Sequence, residues 1–412
     1  MLCRCRVLDL STERGFLCGQ ILGDLGADVI KVEPVGGAPA RGLGPFLNDT
    51  PGPENALGWL AFNRNKRGIT LNLEHAEGRA LLRRLAARAD LLIESENPGT
   101  MAARGLDYPA LRAVNPALVY VAITPFGQDG PKAGYADSDL IVMAASGVLI
   151  LSGDEDRAPL RMSVPQAYLH ASADAAGAAL IAYYERLNSG EGQQVDVAAQ
   201  ESIGLAGQST ALAALVNSDE TRRMAGGAKM GSIRIPLVWQ CKDGLVSCVF
   251  LFGAAIGVFS RRLIDHMFAQ GACGQAMKDT DWIGYGAKLL SGEEPMANYE
   301  RCKEVIAAFF IGHTKTELFE MARANNLLIA PIATIDDVRR NPQFIAREYW
   351  QTVAHPSGAS LTYPGPFARL SGKPIEYKRR APMVGEHNRE VLGAELGLGA
   401  DAIANLALKG II

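Results

Sequence analysis

No stretch of this 412-residue chain approaches 18 uninterrupted apolar residues, so nothing in it reads as a bilayer-spanning helix. The opening run MLCRCRVLDL carries arginines but no apolar core of signal-peptide length, and the expected location is the cytoplasm. Charge of one sign is also scarce. The net charge is -3 with acidic and basic residues interleaved, which gives no global field to attract nucleic acid or an anionic membrane. Cysteines number seven, an odd count, and most sit in apolar segments. Cys3 and Cys5 form C-x-C with no second ligand pair near them, so reduced thiols are expected and a metal site is not. Gly15, Gly19, Gly23 and Gly26 do not spell G-x-G-x-x-G, and a P-loop signature is missing. A dinucleotide cofactor is therefore unsupported.

What is present has the balance of a globular enzyme, 48% hydrophobic and 21% charged, on a chain long enough for two domains or one with a large insertion. Short apolar runs alternate with helical patterns from the start. The strands read as 6–10, 28–33, 68–73, 90–93 and 118–123, with helices over 16–25 and 76–89 between them. Such alternation predicts a mostly parallel sheet covered on both faces. An Ala-rich helix follows over 165–187, and 195–215 reads as a second long helix. The chain changes character near Arg222, with Gly-rich turns, a β-like stretch over 237–252 and helices around Leu263, Met296 and 304–310. Strand character returns at 330–335, and the tail 385–408 reads as helical. The expected division is a large domain over 1–221, a small domain over 222–322, and a linker with the C-terminal return to the large domain over 323–412.

Basic residues fall in the loops of the first half. Arg41 lies in a Gly/Pro loop, Arg64, Lys66 and Arg67 cluster in NRNKRG, and Arg104 and Lys132 follow in later loops. Loops at one edge of a parallel sheet converge, which suits a ligand with more than one phosphate. A solvated basic face fits the same composition.

Several segments together resemble the class III CoA-transferase family. They are RVLDLS (6–11), QILGDLGADVIKVEP (20–34), NRNKRGITLNL (63–73), NPALVYVAITPFGQDGP (115–131), DLIVMAASG (139–147), SGEGQQVDV (189–197), APIATIDDV (330–338), HPSG (355–358), YPGPFARLSGKP (363–374) and APMVGEHNREVLGAELGL (381–398). The resemblance implies an α/β fold in which both chain ends build a Rossmann-like large domain and the middle builds a smaller inserted one. It also implies two chains interlocked as a dimer, and coenzyme A or acyl-CoA as a substrate rather than a resident cofactor. Gln20 and Arg41 match family positions near CoA, and Lys66 and Arg67 fall in its basic turn. Where the family has ENFRPG, this chain has Glu94-Ser-Glu-Asn-Pro-Gly99, with Ser95 in place of the usual asparagine. Arg104 stands one place past the usual arginine, which is Ala103 here.

The chemistry implied by the resemblance uses one aspartate. Its carboxylate attacks the thioester, the CoA thiolate leaves a mixed anhydride and returns to form an aspartyl-CoA thioester, and the acceptor acid then attacks. Backbone N–H groups of a glycine loop would hold the oxyanions. That aspartate lies about 22 or 23 residues before the first glycine of the motif that stands here as Gly190-Glu-Gly-Gln193. Counting back reaches Tyr168 or Ala167, and neither is a carboxylate. Asp174 and His170 are the nearby alternatives. The racemase histidine position is Ser138, and the glycine loop is thinned to 224–228 and 231–232. The expectation is a subunit that moves CoA between an acyl-CoA, succinyl-CoA foremost, and a carboxylic acid, beside an Asp-bearing partner, as in heteromeric family members of the benzylsuccinate type. A self-sufficient homodimer with a relocated nucleophile and a non-catalytic CoA-binding scaffold are the alternatives.

Overall fold

The computed structural model describes residues 1–217, 223–356, 358 and 360–412. The expected border at 221–222 and residue 357 of the 355–358 segment lie outside the described residues. Six parallel strands form the central sheet: β1 (Arg6–Asp9), β2 (Asp28–Glu33), β3 (Lys66–Thr70), β4 (Leu91–Glu94), β5 (Val119–Thr124) and β6 (Gln194–Ala198). Their order is β3-β2-β1-β4-β5-β6, so the chain reverses its direction of travel between β1 and β4. Helices α1 (Phe16–Asp24), α2 (Ala76–Ala86) and α3 (Ala167–Ser189) lie between strands in sequence. Apolar residues fill both faces of the sheet. Leu8, Ile30, Ile69 and Leu92 pack toward α2 and the C-terminal residues Leu406 and Ile411, while Val7, Val29, Ile93 and Val121 pack toward α1 and the alanine face of α3. Strands buried on both faces read as near-continuous Val/Ile/Leu runs, which is why they were legible.

Two departures from the sequence reading concern strand borders. β3 begins at Lys66 rather than Gly68, which draws Lys66 and Arg67 out of the preceding turn and buries them at 0% and 7% exposure. β6 replaces the first turn of the helix expected over 195–215, and two helices follow it over Ala199–Ala206 and Gln208–Asn217. Its alternating Val195 and Val197 run directly into Ala199, so no turn residue marks the border. Gly192 makes β6 possible. A Cβ there would stand 2.0 Å from Leu118 O, so only glycine lets the two chain segments approach.

Residues 1–149, 162–212 and 346–412 form one compact unit and residues 150–161 and 213–345 a second. Both chain ends thus build the Rossmann-like unit. The second unit has a core of its own around Trp239, Phe250, Trp282, Tyr299 and Phe310, and a three-stranded antiparallel sheet of β7 (Val238–Cys241), β8 (Gly244–Cys248) and β9 (Ile329–Pro331). The span 323–345, the first part of the expected linker and return, falls in this unit, where β9 pairs with β8. No helix among the described residues is long and apolar enough to cross a membrane.

At the centre of the sheet Asp9, Lys31 and Lys66 are 0–1% exposed. Asp9 takes Lys66 Nζ at 2.8 Å and Lys31 Nζ at 3.2 Å. Lys66 also donates to Phe16 O and Asn63 Oδ1, both at 2.9 Å. Lys31 donates to the carbonyls of Asp9 and Ser11. Burial alone would raise the Asp9 carboxyl, but the two ammonium groups override it and hold it at about 2. Burial lowers Lys66 to about 8 against the pull of Asp9.

Replacing Asp9 by Asn should leave two buried ammonium groups with no counter-charge and cost about 3–5 kcal/mol of unfolding free energy. Because the folded carboxyl lies below its ordinary 3.8, its contribution is complete above that pH and is lost as pH falls toward about 2. Acid denaturation of the wild type should show a loss in that window that Asp9→Asn lacks. Equal stability of the two proteins at neutral pH would contradict the role given to Asp9.

Candidate active site

Parallel α/β sheets bind ligands beyond the carboxyl ends of their strands, at the point where strand order reverses. Here that point lies between β1 and β4, and two cavities open on it. One, of about 560 Å³, is lined by residues that follow β1, β2, β3 and β4, among them Ser11, Thr12, Glu13, Pro34, Leu71, Glu74, Glu96 and Arg104. The other, of about 250 Å³, is largely apolar and is formed by Phe16, Leu17, Trp59, Phe62, Pro165, Tyr168 and Leu169. Glu13 lines both. A further cavity of about 380 Å³, lined by Asp24–Asp28, Asn65 and Arg67, lies at the opposite, amino end of the sheet, where the topology gives no reason to expect chemistry.

The turn after β1 is fixed from below and from the side. Ser11 N and Oγ both donate to Asp9 Oδ1, at 3.0 and 2.6 Å. Thr12 N donates to Ser95 Oγ at 2.8 Å, so the residue that replaces the family asparagine ties the β4 loop to the β1 turn. Arg14 then reaches across. It donates to Ser95 O at 3.3 Å and Asn97 Oδ1 at 2.9 Å, and it pairs with Asp137. Tyr168 donates its hydroxyl to the second oxygen of Asp137. Arg14, Asp137 and Tyr168 thus form one continuous chain at the counted nucleophile position. Burial, then the bond to Asp137, raises the Tyr168 phenol far above its ordinary value, so it stays protonated at neutral pH.

The start of α3 is sealed as well. Asp139 Oδ1 accepts from Gln166 N at 2.6 Å and Ala167 N at 2.8 Å, which places a carboxylate on the positive end of a 23-residue helix. Ala167 is fully buried. Ser138 accepts from Ile141 N at 3.3 Å and caps the helix Asp139–Ala145. His170 and Asp174 lie on an exposed face of α3. They are one turn apart, and neither lines the cavity beside Tyr168.

The expected phosphate track is not an open cationic surface. Arg41, 2% exposed, forks onto Glu33 at 2.7 and 2.8 Å, pairs with Glu54 at 2.9 Å, and stacks on Trp59 with its guanidinium 3.7 Å from the ring centre. Lys66 serves Asp9. Arg67 is held by Asp28, Glu390 and Glu395. Gln20 is buried, with its amide best oriented so that nitrogen meets Ala61 O at 3.1 Å and oxygen meets Arg64. Arg104 alone of the six lines the larger cavity, where it pairs with Glu74 at 2.7 Å and Glu96 at 3.1 Å. Lys132 is exposed and lines neither cavity. Sequence reasoning missed Arg14 and Asp137. Both sit in short polar turns with no spacing signal, and only the fold brings them to Tyr168. Cys3 is exposed and Cys5 buried. No cluster of three metal-ligating side chains occurs among the described residues.

Residues 2–388 match CoA-transferase family III. The chain is 35% identical to the BbsE subunit of succinyl-CoA:(R)-benzylsuccinate CoA-transferase from Thauera aromatica, over 99% of this chain and 97% of that one. It is 31% identical to the succinyl-CoA–D-citramalate CoA-transferase of Chloroflexus aurantiacus, over 99% and 97%. A crystal structure of a CaiB/BaiF family protein from Brucella suis superposes with a TM-score of 0.81 at 28% identity, covering 95% of this chain and 98% of that one.

The Arg14–Asp137–Tyr168 chain has a measurable coupling. Tyr168→Phe removes a hydrogen bond to a charged acceptor and should cost about 1.5–3 kcal/mol in urea unfolding. Asp137→Asn should cost a comparable amount. The double variant should fall short of the sum by about 1 kcal/mol or more, as residues in direct contact do. Strict additivity would show that the two side chains act independently.

Proposed function

The chain belongs to CoA-transferase family III, and from that premise we propose that it is a non-nucleophilic subunit of a CoA-transferase. In this reading it moves CoA between succinyl-CoA and an organic-acid acceptor together with a homologous subunit that supplies the aspartate. The observation that carries the reading is Tyr168 at the nucleophile position, bonded to Asp137 and through it to Arg14. A protonated phenol cannot form the mixed anhydride on which CoA return depends, because that step needs a carboxylate. Three further features support it. Succinyl-CoA is named in both relatives above, and one of them is a subunit of a larger enzyme. Asp139 already occupies the helix end that would otherwise favour an oxyanion. The outward face of α3 presents Ile181, Tyr184 and Leu187 at 64–73% exposure, an apolar stripe suited to an interlocked partner.

A second reading has one observation of its own. Asp137 is a carboxylate within hydrogen-bond reach of the Tyr168 hydroxyl, so a self-sufficient enzyme would use it as the relocated nucleophile. Its pairing with Arg14 and Tyr168 opposes this, since both contacts stabilise the carboxylate and would have to break before attack.

One experiment separates the two. The purified chain is incubated with succinyl-CoA, alone and with an Asp-bearing homologue, then treated with hydroxylamine or borohydride and measured by intact mass. Alone it should show no adduct, and with the partner the adduct should map to the partner only. An adduct on Asp137 would establish the second reading, and one on Asp174 or His170 would overturn both. Light scattering should find no stable folded monomer near 44.0 kDa if the chain is interlocked with a partner or a second copy. A clean monomer peak would contradict that assembly.

A further inference from the structure

Glu94 takes no direct part in the site described above, yet the loop it anchors holds Arg14 and Arg104. Glu94 ends β4, is 2% exposed, and lines a separate cavity of about 160 Å³ with Asp107, Tyr120, Gln128 and Gln194. Its Oε2 accepts from Glu96 N at 2.7 Å, and the Tyr120 hydroxyl, which favours the charged form, lines the same cavity. The segment anchored in this way supplies Ser95 O and Asn97 Oδ1 to Arg14, Glu96 to Arg104, and Ser95 Oγ to Thr12 N.

Among the described residues no cation pairs with this carboxyl directly; Arg104 pairs with Glu96 at 3.1 Å. Glu96 stands on its own loop, Tyr120 on β5, Asp196 on β6, and Asp107 at the start of the helix Tyr108–Arg112. Burial foremost, with Glu96 and Asp196 adding repulsion, raises Glu94 from 4.5 to about 7, while the Glu96 amide and Tyr120 oppose the rise. A carboxyl in this setting sits at the balance between its two forms under ordinary conditions.

We propose that Glu94 is a positioning residue that sets the 95–99 loop, and through it Arg14 and Arg104, according to whether its carboxyl carries a proton. The proposal rests on the reading of the two cavities as the functional site. The neutral carboxyl suits its acidic surroundings. The carboxylate is repelled by Glu96 and Asp196, so ionisation loosens the loop and with it the hold on both guanidinium groups. The direction follows from linkage. The ordered loop keeps the proton up to about 7, whereas an opened loop releases it near 4.5. Ordering is therefore strongest at the acid end, weakens as pH rises between those values, and levels off above them.

The test is hydrogen exchange of the intact protein, read on peptides covering 94–104 and corrected for the intrinsic rate at each pH. Between about pH 5 and about pH 8.5 the wild type should lose protection in these peptides by at least about tenfold, the equivalent of one pH unit of differential protonation. Glu94→Gln keeps an acceptor for Glu96 N but cannot ionise, and its protection should not vary with pH. Tyr120→Phe removes the hydroxyl that favours the carboxylate, so its transition should move to higher pH. A wild type without the transition, a transition retained in Glu94→Gln, or an unmoved midpoint in Tyr120→Phe each overturns the proposal. The readout needs no turnover. Failure of the heteromer reading in the trapping experiment would therefore leave this result standing, and the reverse holds too.

Discussion

The organisation of the large unit depends on one buried carboxylate with two ammonium groups. Asp9, at the end of the central strand β1, meets Lys31 from β2 and Lys66 from β3 with none of the three exposed to water. Two positive charges on one negative would be unfavourable in a dry interior if the remaining N–H groups were idle. They are not, because the carbonyls of Asp9, Ser11 and Phe16 and the Asn63 amide oxygen accept them. Gly19 belongs to the same arrangement. A Cβ there would come within 2.3 Å of Asp9 Oδ2, so α1 reaches the cluster only without a side chain at that position.

What this cluster positions is the turn that follows β1. Asp9 bonds Ser11 through backbone and side chain, Lys31 grips the Ser11 carbonyl, and Ser95 meets Thr12 from β4. Arg14 leaves that turn with its direction already set. The electrostatics of the centre of the sheet and the geometry at the nucleophile position are therefore one problem, linked through five residues of backbone. The same logic accounts for the basic residues that do not face a cavity. Arg41 and Arg67 are each held by two or three carboxylates, and forked guanidinium–carboxylate pairs of this kind fasten loops and the C-terminal segment to the sheet.

Much of this fold was legible because parallel strands buried on both faces have an unmistakable composition, and Val29, Ile30 and Val119–Ile123 show it. Strand ends were less legible. Lys66 and Arg67 read as a basic turn because lysine and arginine are rarely fully buried without partners. Their partners Asp9, Asp28 and Glu395 lie far away in sequence, and nothing local announces them. The lack of a carboxylate at the counted position was legible from Gly190, since a long helix keeps a fixed spacing. What replaces it was not. Asp137 and Arg14 come from two turns separated in sequence by the four strands β2 to β5, and only their meeting at Tyr168 gives either a role. The border between β6 and the helix at Ala199 was hidden for a different reason, because Val-Asp-Val-Ala fits both periods over so short a run.

The substitution at position 168 is not a simple loss. A shorter aspartate there would leave the Asp137 oxygen without the donor that the tyrosine hydroxyl now provides. The tyrosine donates a hydrogen bond to Asp137 while Arg14 supplies the opposite charge. A site built in this way is internally neutralised rather than waiting for a nucleophile. Under the reading proposed above, that internal neutrality fits a subunit that leaves the nucleophile to its partner.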